Sequence, residues 1–128
     1  MASPAGKLVG RYRAVQLGTA EPAQLLLSLY EGAIRFLGQA EQALAAHRSW
    51  EVHDRLVRAE EILEALLGAL DPSRDRELAQ DLARLYDYCF RRLLEADLRA
   101  DAGAIREVSG LLQHLLDGWR EAITPRGP

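Results

Sequence analysis

The chain holds a single cysteine, Cys89, and a single lysine, Lys7, and its aromatic residues are two Trp, four Tyr and two Phe among 128 residues. One thiol cannot close an internal disulfide, and alone it cannot build a tetrahedral zinc site. A reducing cytoplasmic setting is therefore expected. Acidic residues outnumber basic ones, 19 to 16, for a formal charge of −3. The Arg residues are interspersed with Asp and Glu. That lacks the basic footprint of a polyanion binder, so no nucleic-acid partner is expected. No apolar window reaches the roughly 18 residues needed to cross a bilayer, and no apolar run follows a basic start. Neither membrane insertion nor a cleaved export signal is expected. β-Branched residues are also scarce: Val 5, Ile 4 and Thr 2 stand against Leu 23 and Ala 20. The apolar content thus comes from helix formers, and the fold class expected is all-α.

What is present suffices for a core, since 48% of residues are hydrophobic and 27% charged, and the length suits one domain. Residues 1–19 mix Gly6, Gly10, Gly18 and Pro4 with isolated apolar residues, which predicts a flexible N-terminal arm. From Pro22, suited to a first helical turn, a helical pattern runs to about His47. Ser49 is a candidate N-cap for a second helix over Trp50 to Leu70, ended by Asp71-Pro72. Ser73 or Asp75 caps a third helix to about Ala100, and Asp101 a fourth to about Ile123. Residues 20–124 then form the bundle and residues 125–128 a frayed tail. Short connections place successive helices side by side and antiparallel, so the architecture expected is an up-down four-helix bundle.

Alternating steps of three and four mark the core seams. They are Val52, Leu56, Ala59, Leu63, Leu66 and Leu70 in helix 2, and Leu78, Leu82, Leu85, Cys89, Leu93 and Ala96 in helix 3. Helix 4 repeats the pattern with Ile105, Val108, Leu112, Leu115, Trp119 and Ile123. Helix 3 carries a second stripe, Tyr86, Phe90, Leu94 and Leu98, and helix 1 is apolar over about half its circumference. Two readings fit this excess: deeper burial in an irregular bundle, or a further element packed on the surface. Leu8, Val9, Tyr12, Val15 and Leu17 of the arm are candidate covers.

Catalytic chemistry finds little support. No Glu is followed three residues later by His, so the di-iron pattern of helical bundles is missing. His47, His53 and His114 lack ligand spacing, and a seam position makes Cys89 a small buried hydrophobe. Glu60, Glu61 and Glu64 beside Arg58 read as a solvated helix face, and Arg84, Arg91, Arg92 and Arg99 as partners in surface ion pairs. No phosphate-binding glycine loop occurs. Neither an enzyme, a cofactor nor a metal is expected.

Three blocks resemble one family. Thr19-Ala20-Glu21-Pro22 followed by Leu25-Leu26-Leu27-Ser28-Leu29-Tyr30-Glu31-Gly32-Ala33-Ile34 is similar to the opening of the bacterial flagellin-specific secretion chaperones. Leu85-Tyr86-Asp87-Tyr88-Cys89-Phe90-Arg91-Arg92-Leu93-Leu94-Glu95-Ala96 resembles their third-helix signature, and Leu111-Leu112 with Asp117-Gly118-Trp119-Arg120 their closing helix. The resemblance implies a non-enzymatic cytosolic bundle around which the disordered C-terminal segment of flagellin wraps. Such binding would prevent premature polymerisation and aid delivery to a component of the flagellar export apparatus. It also implies that the N-terminal arm covers part of the client surface, through Leu8, Tyr12 and Val15. The arm departs from the family in holding one tyrosine, and Glu21 stands where Ser is usual. The client surface expected comprises Tyr86, Phe90, Leu94 and Leu98 of helix 3, Ile62 and Leu67 of helix 2 and Leu111 of helix 4. The alternative is a bundle that self-associates through the same stripe, as an adaptor or structural module.

Overall fold

The structure, a computed structural model, describes residues 22–123. The expected arm, its cap residues Leu8, Tyr12 and Val15, and the frayed tail lie outside the described residues. Four helices occupy the described chain: α1 (Pro22–Ala45), α2 (Ser49–Gly68), α3 (Arg76–Arg99) and α4 (Ala102–Ile123). α1 packs against α2 and α4, and α3 against the same two, so α1/α3 and α2/α4 are the diagonals. Pairs across the seams run in opposite order. Glu31 and Glu41 of α1 meet Arg120 and Arg106 of α4, and His53 at the start of α2 meets Asp97 near the end of α3. The architecture is the antiparallel up-down four-helix bundle.

The helix ends follow local backbone chemistry. α1 closes with His47 in the left-handed region (φ 56°), its N–H donating to the Leu44 carbonyl while Arg48 N donates to Ala43 O. That is a Schellman turn, which satisfies carbonyls the helix leaves open. Ala100 (φ 52°) ends α3 in the same way, with its own N–H and that of Asp101 both reaching Ala96 O. Because the turn after α1 runs directly into α2, Arg48 occupies the N-cap without a side-chain hydrogen bond and Ser49 is the first helical residue. The capping expected of Ser49 is thus corrected. Asp75 caps α3 by accepting from Leu78 N at 3.0 Å, and Asp101 accepts from Ala104 N at 3.2 Å. Ser73 instead donates its N–H and hydroxyl to Asp71, tightening the α2–α3 turn.

The core is built from Tyr30, Ala33, Leu37 and Ala40 of α1, Leu56, Ala59, Leu63 and Leu66 of α2, and their counterparts on α3 and α4. Close approach of α1 and α2 uses Gly32: a Cβ there would lie 3.3 Å from Ile62 Cδ1. In α3 the buried positions are Ala79, Leu82, Tyr86, Cys89, Leu93 and Ala96, so the expected seam residues Leu78 and Leu85 lie off the core, Leu78 44% exposed and Leu85 half-buried. A straight helix of 3.6 residues per turn drifts against a seven-residue repeat, and here the drift brings Tyr86 inward. Near the end of α4 the fully buried residue is Leu116, with Leu115, Trp119 and Ile123 half-buried. α2 ends at Gly68, leaving Leu70 half-buried in the turn.

Candidate protein-binding surface

The expected client residues fall on different sides of the bundle. In the α3 stripe each step of four residues advances about 40° around the helix. Tyr86 is accordingly 2% exposed, Phe90 half-buried, Leu94 43% and Leu98 86% exposed. Tyr86 is therefore corrected to a core residue. Its hydroxyl is hydrogen-bonded to that of Tyr30, and desolvation pushes both phenols above their usual range. Ile62 turns toward Gly32 of α1. Leu111 lies one turn beyond Glu107, which accepts from Tyr88 and Arg92 of α3, so it belongs to the α3–α4 side. Phe90, Leu94 and Leu98 remain together along α3, and exposed Leu67 lies apart, further along α2.

The register of that α2–α3 seam follows from one contact. His53 Nδ1 is 2.5 Å from Asp97 Oδ2. In antiparallel helices, stepping seven residues along each sets Glu60 level with Phe90 and Leu67 level with Ala83. The outward flank of α2 reads Trp50, His53, Val57, Glu60, Glu64 and Leu67, itself a three-four alternation. Trp50 is 77% exposed and Leu67 44%. This second seam, with Trp50 at its head, is legible as a period but is masked by its mixed polarity.

Glu60 departs from the solvated face expected of it. It is half-buried, and desolvation, then the Asp97 charge, pushes its carboxyl up to about 7, with Glu64 and Glu61 adding and His53 opposing. Arg58 binds Asp54 instead of Glu60. Asp97 in turn holds the His53 imidazolium, raising its pKa. Three of the four arginines form the surface pairs expected of that helix, in altered pairings, Arg91 with Asp87, Arg84 with Asp81, and Arg92 with Glu95 and Glu107, whereas Arg99 forms none among the described residues. Cys89 is fully buried, and desolvation lifts its thiol to about 11, which removes the thiolate needed for nucleophilic chemistry near neutral pH.

A second apolar feature lies at the end of the bundle where α1 and α3 begin. An open cavity of about 650 Å³ is walled by Leu25 and Leu29 of α1, Leu66 of α2, Leu82 and Tyr86 of α3 and Trp119 of α4. The buried Trp119 Nε1 lies close to the Tyr30 hydroxyl without reaching hydrogen-bond geometry. Sequence reasoning missed this cavity because its walls come from four helices whose apolar residues each look like ordinary seam positions. Among the described residues no helix is long and apolar enough to cross a membrane.

Comparison with known proteins gives one consistent result. The family model described as "Flagellar protein FliS" matches residues 5–126. The chain is 38% identical to the flagellar secretion chaperone FliS of Salmonella typhimurium over 84% of its own length and 80% of that protein's. It is 33% identical to the Bacillus subtilis chaperone of the same name, over 88% and 83% of the two chains. A crystal structure of a bacterial flagellar chaperone superposes with a TM-score of 0.76 at 25% identity, covering 94% of this chain and 98% of the other.

Proposed function

Because the chain belongs to the FliS family of flagellar secretion chaperones, we propose that it binds the disordered C-terminal segment of flagellin, keeps it from polymerising and assists its delivery to the flagellar export apparatus. The observation in this chain that supports the reading is the exposed apolar stripe of α3, Leu94 and Leu98 beside half-buried Phe90, with exposed Leu67 further along α2. An exposed apolar stripe of this kind marks a binding face. A segment that folds onto the bundle gains its apolar contacts, and the ordering cost tempers affinity so that release at the exporter stays feasible. The cavity at the start of α1 supplies a second apolar contact for the same client. That Leu8, Tyr12 and Val15 of the arm cover part of the client surface in the free protein belongs to the same proposal.

Filament assembly tests the proposal. Purified flagellin from the same organism, seeded to polymerise, is mixed with equimolar protein and followed by light scattering. Growth stops with the wild-type protein and continues with Leu94→Asp/Leu98→Asp, both exposed positions. Undiminished growth with the wild-type protein contradicts the reading.

A further inference from the structure

The apolar face on α2 and α3 is bordered by charge that the bundle itself leaves uncompensated. Along α2, Glu51 pairs with Arg48 and Arg55, and Asp54 with Arg55 and Arg58. On α3, Asp81, Asp87 and Glu95 each have an arginine, and across the bundle Glu31, Glu41 and Glu107 do as well. Glu60, Glu61 and Glu64 form no ion pair among the described residues; Glu60 and Glu64 lie on the same flank of α2 as Leu67, and Glu61 turns about 100° from Glu60 toward solvent. We propose that this face docks a basic amphipathic segment, its apolar edge on Phe90, Leu94 and Leu98 and its Lys or Arg side chains over Glu60 and Glu64, with Glu61 adding to the same negative field. The inference rests on the reading of this face as the client surface and adds the charge the client carries there.

Two further observations agree. An incoming cation finds a negative potential already in place: Asp97 of α3 faces Glu60, with Glu61 and Glu64 nearby, and after desolvation these charges add to the elevation of the Glu60 carboxyl. His53 is the nearby cation, and it is held by Asp97; Arg91 of α3 is held by Asp87. Opposite charges placed across an apolar contact fix register and partner choice more than they add raw affinity. The carboxylates therefore act as a selectivity filter around a hydrophobic anchor.

The test uses the full chain and two synthetic amphipathic peptides with identical leucine and phenylalanine spacing, one flanked by Lys and one by Glu, titrated calorimetrically. The Lys peptide binds one to one, weakens with salt, and binds about tenfold more tightly than the Glu peptide, the sum of a few exposed charge pairs. Glu60→Gln/Glu61→Gln/Glu64→Gln removes that tenfold preference, and near pH 7 Lys-peptide binding releases up to about half a proton per complex in the wild type but not in Glu60→Gln. Leu94→Asp/Leu98→Asp weakens both peptides. Equal binding of the two peptides, or an unaltered preference in the triple variant, overturns the charge assignment while leaving the apolar face intact. Failure of both peptides to bind, or loss of monomeric state on dilution-reversible self-association through this face, overturns the proposal altogether. A tenfold gain of peptide affinity in Lys7→Gln/Arg11→Gln/Arg13→Gln would assign the face to the chain's own N-terminal residues and also overturn it. Flagellin binding is scored separately, so a Lys peptide that binds where flagellin does not would refute the chaperone reading alone.

Discussion

Tyr30 of α1 and Tyr86 of α3 share a hydroxyl hydrogen bond across the diagonal of the bundle, with ring centroids 6.5 Å apart and planes inclined at 53°. Diagonal helices otherwise scarcely touch, so this pair sets their spacing. Each hydroxyl satisfies the other on side chains that are at most 2% exposed.

Removing one partner strands the other. Tyr86→Phe is expected to lower unfolding free energy by about 1–3 kcal/mol, the cost of a buried hydroxyl without a partner. Tyr30→Phe/Tyr86→Phe loses less than the two single variants summed, because neither polar group remains. Urea denaturation of the four proteins gives the coupling directly. Additive losses would mean that the two hydroxyls act independently.

The left-handed caps point to an easy gain. Ala100 adopts φ 52° at the end of α3, where a Cβ is strained and glycine is not. Ala100→Gly should stabilise the bundle by about 0.5–1 kcal/mol, read from the urea midpoint at unchanged slope. A loss of stability would show that the entropy of glycine in the unfolded chain outweighs the relieved strain.

The α2–α3 seam makes stability depend on pH. The fold favours protonated Glu60, whose carboxyl is raised to about 7. Its contribution is whole below the unfolded carboxylate range, about 4.3, and declines as pH rises through about 7. His53, raised by Asp97, contributes below about 6.5 and loses that as pH rises through its elevated folded value. Both slopes run the same way. On the acid side, Asp71 and Glu107, lowered by Ser73 and by Tyr88 with Arg92, contribute stability that is lost as pH falls through their depressed values. Denaturation from pH 4 to 9 should therefore show a maximum at about pH 5 and a decline beyond it that Glu60→Gln flattens. An identical decline in Glu60→Gln would remove Glu60 as its source.

Most of the bundle could be read from spacing. The five positions Val52, Leu56, Ala59, Leu63 and Leu66 follow the seam as expected, and all are buried. α1 starts at Pro22 as expected and ends two residues before His47, because the Schellman turn takes the last residues out of the helix. Spacing failed where two apolar choices lay side by side. Leu85 and Tyr86 fit the seam about equally by period, and the partner that draws Tyr86 inward, Tyr30, lies on another helix. The candidate surface was legible only in part for the same reason. A four-residue stripe on one helix slides from core to solvent, and Ile62 and Leu111 look outward by period until α1 and α3 are set beside them. Spacing gives Trp50 no role and reads Glu60 as solvated, because a tryptophan at a helix start and a glutamate among glutamates look like ordinary surface.

The central claim is that this bundle holds the end of flagellin. Its most direct test is calorimetric titration of the full chain with a peptide of about forty residues (a length suited to wrapping a small bundle as a disordered segment) from the C-terminus of flagellin of the same organism. The account predicts saturable one-to-one binding with a negative heat-capacity change, lost in Leu94→Asp/Leu98→Asp at unchanged helicity. No heat at several temperatures together with no change in the peptide's mobility, or full affinity in the double variant, would contradict it.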